Sequence, residues 1–108
     1  MTSNMGALIV FTTVPDEFLA VKITEAVLQQ SFAVCVNVLH VGQSYYRWQG
    51  MIESAAEIML VIKTSRARYP ELEAEIKRLH TYDVPEILAL DVKDGLPAYL
   101  EWIANESK

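Results

Sequence analysis

The side chains of this sequence that could bind or react gather in two stretches: SYYRWQG at 44–50, followed by Glu57 and Lys63, and HTYDVPE at 80–86. Tyr45, Tyr46 and Trp48 offer ring faces that serve either a ligand or cross-strand packing and an interface. Glu57 and Lys63 share the odd-numbered face of an apolar run, where a charge must be paired or solvated. A structural ion pair, within or between subunits, therefore competes with a ligand-binding lysine. His80 ends a helical stretch, where a cation complements the helix dipole and an imidazole can also ligate a metal. A firm metal centre needs several converging His, Cys or carboxylate donors, and the linear order offers only Glu86, a short loop beyond His80. His40, inside a strand, has a weaker claim.

Catalytic signatures are missing. The sequence contains no GxSxG elbow, P-loop, HExxH or CxxC, and Gly6, Gly42, Gly50 and Gly95 are too scattered to cradle a phosphate. The expectation is a binding protein rather than an enzyme, with no obligatory cofactor. Cys35 is the single cysteine; within an apolar strand it reads as a small hydrophobe, without a partner for an internal disulfide.

The elements that must position these groups follow from periodicity. Residues 7–12 (ALIVFT) predict a strand. Thr13, Pro15 and Asp16 then supply a capping hydroxyl, an early proline and an acidic first turn for a helix with the apolar stripe Leu19, Ile23, Ala26 and Val27. From Ala33 a second strand is apolar on both faces, with Val34, Val36 and Val38 on one and Ala33, Cys35, Leu39 and Val41 on the other. Gln49-Gly50 reverses the chain into a third strand that ends in the apolar run 58–62. Tyr69-Pro70-Glu71 opens a second helix with Leu72, Ile76 and Leu79 on one stripe, and its acid-to-base order, Glu71 and Glu73 before Lys77 and Arg78, suits the dipole. Residues 84–92 predict a fourth strand whose entry Pro85 confines to an edge. Gly95-Leu96-Pro97 starts a last helix with Leu96, Leu100 and Ile103 on one face and Tyr99 and Trp102 nearby.

This order over residues 1–108 predicts one α+β domain, a ferredoxin-like plait of the βαββαβ type with a C-terminal helix and a long hairpin between the second and third strands. Right-handed crossovers place both long helices on one side of the sheet. The other side also carries apolar side chains and has nothing to cover it, and the hairpin of 33–64 runs past the sheet with open edges. A closed ring of copies meets both demands. Composition agrees: 52% hydrophobic and 21% charged residues describe a globular chain, with no window near the roughly 18 apolar residues of a membrane span. A net charge of −5, with Arg66, Arg68, Lys77 and Arg78 mostly on one helix, argues against nucleic acid. Residues 1–6 lack the basic and apolar regions of a signal peptide, so a cytoplasmic protein is expected.

The same residues resemble the CutA divalent-cation-tolerance family over nearly the whole length: TTVPDE at 12–17, AVCVNV at 33–38, SYYRWQG at 44–50, EIMLVIKT at 57–64, HTYDVPEIL at 80–88 and YLEWI at 99–103. The resemblance implies a very stable homotrimer, sheets inward and helices outward, much like the PII signal-transduction proteins, with a role in tolerance to divalent cations and copper in particular. It implies ligand clefts between subunits, for which Tyr46, Trp48, Glu57, Lys63, Tyr82 and Glu86 are the candidates. Some bacterial members are thought to bind copper through a cysteine in the first strand and two adjacent histidines after the second helix. The matching positions here are Thr12, Leu79 and His80, so two of the three ligands are missing and His80 alone is carried over. The expectation is modest binding of Cu(II) or another divalent cation in an intersubunit cleft, completed by Glu86, Glu57 or a symmetry-related group, or of a small anion beside Lys63. The alternative is a PII-like small-molecule sensor or assembly scaffold to which metal is incidental. An enzyme on the same plait, such as an acylphosphatase, lacks its anion-cradling loop. The one partner implied is the chain itself.

Overall fold

The computed structural model describes residues 6–108, apart from the side chain of Val41; residues 1–5, on which most of the signal-peptide reading rests, lie outside the described residues. The elements run β1 (Ala7–Val14), α1 (Glu17–Gln29), β2 (Cys35–Trp48), β3 (Met51–Ser65), α2 (Tyr69–Leu79), β4 (Ile87–Asp91) and α3 (Pro97–Glu106). The four strands form one antiparallel sheet in the order β2-β3-β1-β4. Among the described residues no helix is long and apolar enough to cross a membrane.

Register decides which side chains meet. β1 and β3 pair from Ala7 with Ser65 to Val14 with Ile58, so Leu8, Val10, Thr12 and Val14 share a face with Thr64, Ile62, Leu60 and Ile58. That face is buried beneath Leu19, Ala20, Ile23 and Val27 of α1 and Leu72 and Ile76 of α2 in one cluster. Both helices therefore lie on the same side. Burying each of the leucine, isoleucine and valine side chains here contributes about 1.5–3 kcal/mol, which makes the helix side the main source of stability. Within α1 the stripe is Leu19, Ile23 and Val27 flanked by Ala20, while Ala26 is only half-buried. On α2, Leu79 packs against the cluster as a half-buried residue.

Several boundaries depart from the periodic reading. The helix cap is Asp16 rather than Thr13: its carboxylate accepts from the Leu19 N–H at 2.8 Å. A carboxylate satisfies an orphan donor and complements the dipole, so Thr13 and Val14 stay in the β1 ladder. β2 starts at Cys35, not Ala33. Before it Ser31 takes φ 60, Ala33 joins the helix-side core and Val34 packs with α3. Strict alternation begins where the register does, at Cys35 opposite Lys63. Pro85, which lacks an N–H, precedes the ladder, and β4 is confined to Ile87–Asp91. Leu96 occupies the exposed cap position of α3, and only Leu100 and Ile103 of its expected face are buried, against Ala7, Val34 and Val92.

The opposite face, expected to be bare, is covered by α3 at its Ala7 end, where Leu100 and Ile103 bury Ala7 and pack with Val92, and is open beyond it. Register places Ile9 and Phe11 of β1, Met59 and Val61 of β3, Leu39 of β2 and Leu88 and Leu90 of β4 there, and Leu39, Leu88 and Leu90 are 42%, 59% and 57% exposed. Beyond the four-stranded region, Gly42–Trp48 pairs only with Met51–Glu57. This two-stranded arm adds about 23 Å at strand rise and accounts for the long axis of a molecule measuring 46 × 26 × 22 Å. Its reversal is the two-residue turn Gln49-Gly50, with φ of 49 and 82, the positive values that a type I′ hairpin turn requires.

Candidate functional site

The arm carries its aromatic residues on a particular side because of an irregularity in β2. Between Leu39 and Gly42 the register slips by one residue, and Gly42 takes φ 100, a left-handed conformation that glycine adopts without strain. Upstream of the slip the even-numbered Val36 and Val38 face the helices, opposite Ile62 and Leu60. Downstream the even-numbered Ser44, Tyr46 and Trp48 pair with Ala55, Glu53 and Met51, residues on the open-face side of β3. A one-residue slip exchanges the faces of every following side chain. The bulge thus brings Tyr46 and Trp48 to the same side as Glu57. Its signal in the sequence is Gly42, an isolated glycine inside a strand pattern.

The second wall is the segment after α2. His80 is buried, and its ring fixes this segment to β1: Nδ1 accepts from the Tyr82 N–H at 3.1 Å, and Nε2 lies 2.7 Å from the Thr13 carbonyl. An accepting Nδ1 requires the proton on Nε2, which then donates to Thr13. While these bonds persist neither nitrogen has a lone pair for a metal. The Tyr82 ring packs against the imidazole at a centroid distance of 4.7 Å, and its hydroxyl donates to Glu57 Oε2 at 2.7 Å. Burial, reinforced by the Glu57 carboxylate, pushes the Tyr82 hydroxyl well above the ordinary phenol range, so it remains a donor. Lys77 secures the loop by donating from Nζ to the Asp83 carbonyl at 3.3 Å.

Between arm and loop lies a cleft of 920 Å³, within the range of small-molecule sites. Tyr46, Trp48, Glu57, Tyr82 and Glu86 line it, so five of the six predicted cleft residues come together; Thr13, Ser44, Tyr45, Glu53, Ala55, Asp83 and Val84 complete the lining. The Asp83 and Glu53 contributions escape sequence reading because one depends on the loop path and the other on the slipped register. Lys63 does not belong to the cleft. It lies six residues along β3 from Glu57, about 20 Å away at strand rise, and its Nζ bonds Asn37 Oδ1 and approaches Cys35 Sγ at 4.0 Å. The two charges cannot pair within one chain. Tyr99 of α3 covers this end of the sheet: burial, then the neighbouring Cys35, raises its hydroxyl pKa. His40 instead pairs with Glu17 at the start of α1, at 2.7 Å and in solvent.

The copper positions implied by resemblance do not form a centre within the chain. Thr12 is fully buried on the helix side, Leu79 packs against the same core, and His80 is engaged at both nitrogens. Among the described residues no group of three or more His, Cys, Asp and Glu converges on a point that could hold a metal ion. The cleft carboxylates are spread between β3 and the loop.

Comparison with known proteins sets this geometry in context. The family model described as CutA1 divalent ion tolerance protein matches residues 8–106. A divalent-cation tolerance protein CutA from Thermus thermophilus is 40% identical across 92% of this chain and 96% of its own length. A chloroplastic protein CutA from Arabidopsis thaliana is 34% identical across 99% of this chain, which spans 59% of that relative. The crystal structure of CutA from Xylella fastidiosa superposes with a TM-score of 0.92 at 39% identity, covering 95% of this chain and 99% of that one.

Proposed function

The chain belongs to the CutA1 divalent ion tolerance family, and from that premise we propose that it serves divalent-cation tolerance as a non-catalytic, cytoplasmic homotrimer of ferredoxin-like plaits with ligand-binding clefts between subunits. The strand order β2-β3-β1-β4, with both crossover helices on one side, supports the plait. The observation that carries the assembly is the open face. Leu39, Leu88 and Leu90 stand exposed beside an arm of two unsupported strands, and an isolated two-stranded hairpin is marginal in water. Further copies of the chain supply what both lack. A single cysteine accords with a reducing compartment, which cell fractionation tests directly.

In this reading a divalent cation, Cu(II) or another, rests on Glu57 and Glu86 and is completed by a group from the neighbouring subunit, with the modest affinity that a divided donor set gives. Calorimetric titration with Cu(II) tests it. Binding that weakens in Glu57→Gln and Glu86→Gln supports the carboxylate site; undetectable heat with the assembled wild type removes it. The dispersed donors and the engaged His80 favour a second reading, a PII-like sensor or assembly scaffold whose cleft takes a small molecule with metal incidental. Native mass spectrometry of protein purified without chelator or added metal separates the two: a retained organic mass favours the sensor, a retained metal the first reading.

A further inference from the structure

We propose that the cleft between the arm and the 80–86 loop takes a small organic cation, an ammonium or guanidinium group carried on a flat or apolar body. This rests on the second of those readings, the cleft as a small-molecule site, and concerns the walls that one chain supplies. Charge narrows the occupant first. Glu53 and Glu57 enter from β3 and Asp83 and Glu86 from the loop, and among the described residues lining the cleft none is lysine, arginine or histidine. An anion would meet carboxylates on both walls. Lys63, the one basic candidate, lies at the far end of the sheet with Asn37.

Geometry then separates an organic cation from a bare metal ion. A divalent ion needs donors converging at about 2.0–2.6 Å, and no such group of three forms among the described residues. An organic cation needs only a negative potential and apolar surface for its body. Dispersed carboxylates provide the first. The rings of Tyr46, Trp48 and Tyr82 provide the second, and each presents an electron-rich face that attracts a cation within about 6 Å of its centroid. Tyr82 adds preorganisation: His80 holds its backbone and Glu57 its hydroxyl, so this wall is set before a ligand arrives.

The test uses three probes of one shape and different charge at pH 7: benzylamine as the cation, benzyl alcohol as the neutral analogue and benzoate as the anion. The reporter is the Trp48 indole N–H resonance, assigned with Trp48→Phe, in titrations into the low millimolar range. Benzylamine should shift it saturably, benzyl alcohol should bind at least about fivefold more weakly, and benzoate should leave it unmoved. Glu86→Gln, at an exposed position, should weaken benzylamine and leave benzyl alcohol unchanged. Equal affinity for amine and alcohol, preference for benzoate, or indifference of benzylamine to Glu86→Gln overturns the ligand class while leaving a binding cleft. If none of the three moves Trp48, the cleft reading itself falls.

Discussion

The two ends of β3 live in different environments. From Ile58 to Thr64 its alternate side chains are sealed between β1 and two helices, whereas from Met51 to Glu57 it pairs with β2 alone and most of its side chains are exposed. The sealed half has its stabilisation within the chain. The exposed half has hydrogen bonds across one ladder and little burial, yet it carries Glu53, Ala55 and Glu57 of the cleft. The difference shows that the fold and the site are supported by separate means, and that the site lies where one chain supplies the least packing.

The strongest test of that contrast is to charge each surface. Leu60→Asp, at the centre of the helix-side core, is expected to cost more than about 4 kcal/mol and to abolish cooperative urea unfolding, because an unpaired carboxylate is left in an apolar interior. Leu90→Asp, on the open face, should retain the far-UV circular dichroism of the native fold but dissociate the assembly in sedimentation velocity. If Leu90→Asp unfolds the chain as fully as Leu60→Asp, the sheet needs both faces equally and the contrast fails.

A smaller effect sharpens the link between the regions. His80→Ala leaves the Thr13 carbonyl and the Tyr82 N–H without their partner, which should lower stability by about 1–3 kcal/mol. It should also quicken amide exchange in the 80–86 loop more than in α1. Loss of stability with unchanged loop exchange would make His80 a core filler rather than a brace of the cleft wall.

The smallest effect concerns Glu75, a buried carboxylate on α2. It accepts from Arg78 Nε and Nη2 at 3.0 and 2.8 Å and from Gln30 Nε2 at 3.0 Å, and the Arg78 hydrogen bonds lower its pKa below the usual carboxylate value. A lowered folded-state pKa means that this stabilisation is complete above the unfolded carboxylate range and is lost as pH falls through the depressed value. Glu75→Gln should therefore cost less than about 1 kcal/mol at pH 7 and reduce the loss of stability on acidification. An unchanged acid limb would show that the pair contributes nothing measurable.

Much of the sheet was legible because its signals are local. The apolar runs of β1 and the end of β3, the glycine turn at 49–50 and the stripe of Leu72 and Ile76 each need only a few residues to declare themselves. What stayed hidden depends on register or on distant partners. Gly42 marks a bulge, but the face that Tyr46 and Trp48 acquire follows only from counting the slip against β3. Thr13 and Asp16 are both acceptable caps by type, and the length of the β1 ladder selects Asp16. No local signal singles out Glu75, whose setting depends on Gln30 at the C-cap of α1. Glu57 and Lys63 share a face, as alternation says, but alternation carries no information about whether anything joins them.

The central claim is that copies of this chain cover the open face and support the arm. Sedimentation equilibrium at micromolar concentration measures it most directly. The account predicts one species of three times the 12.2 kDa chain mass, whose thermal midpoint falls on dilution as subunits separate. A folded species that remains at 12.2 kDa across the concentration range would contradict it.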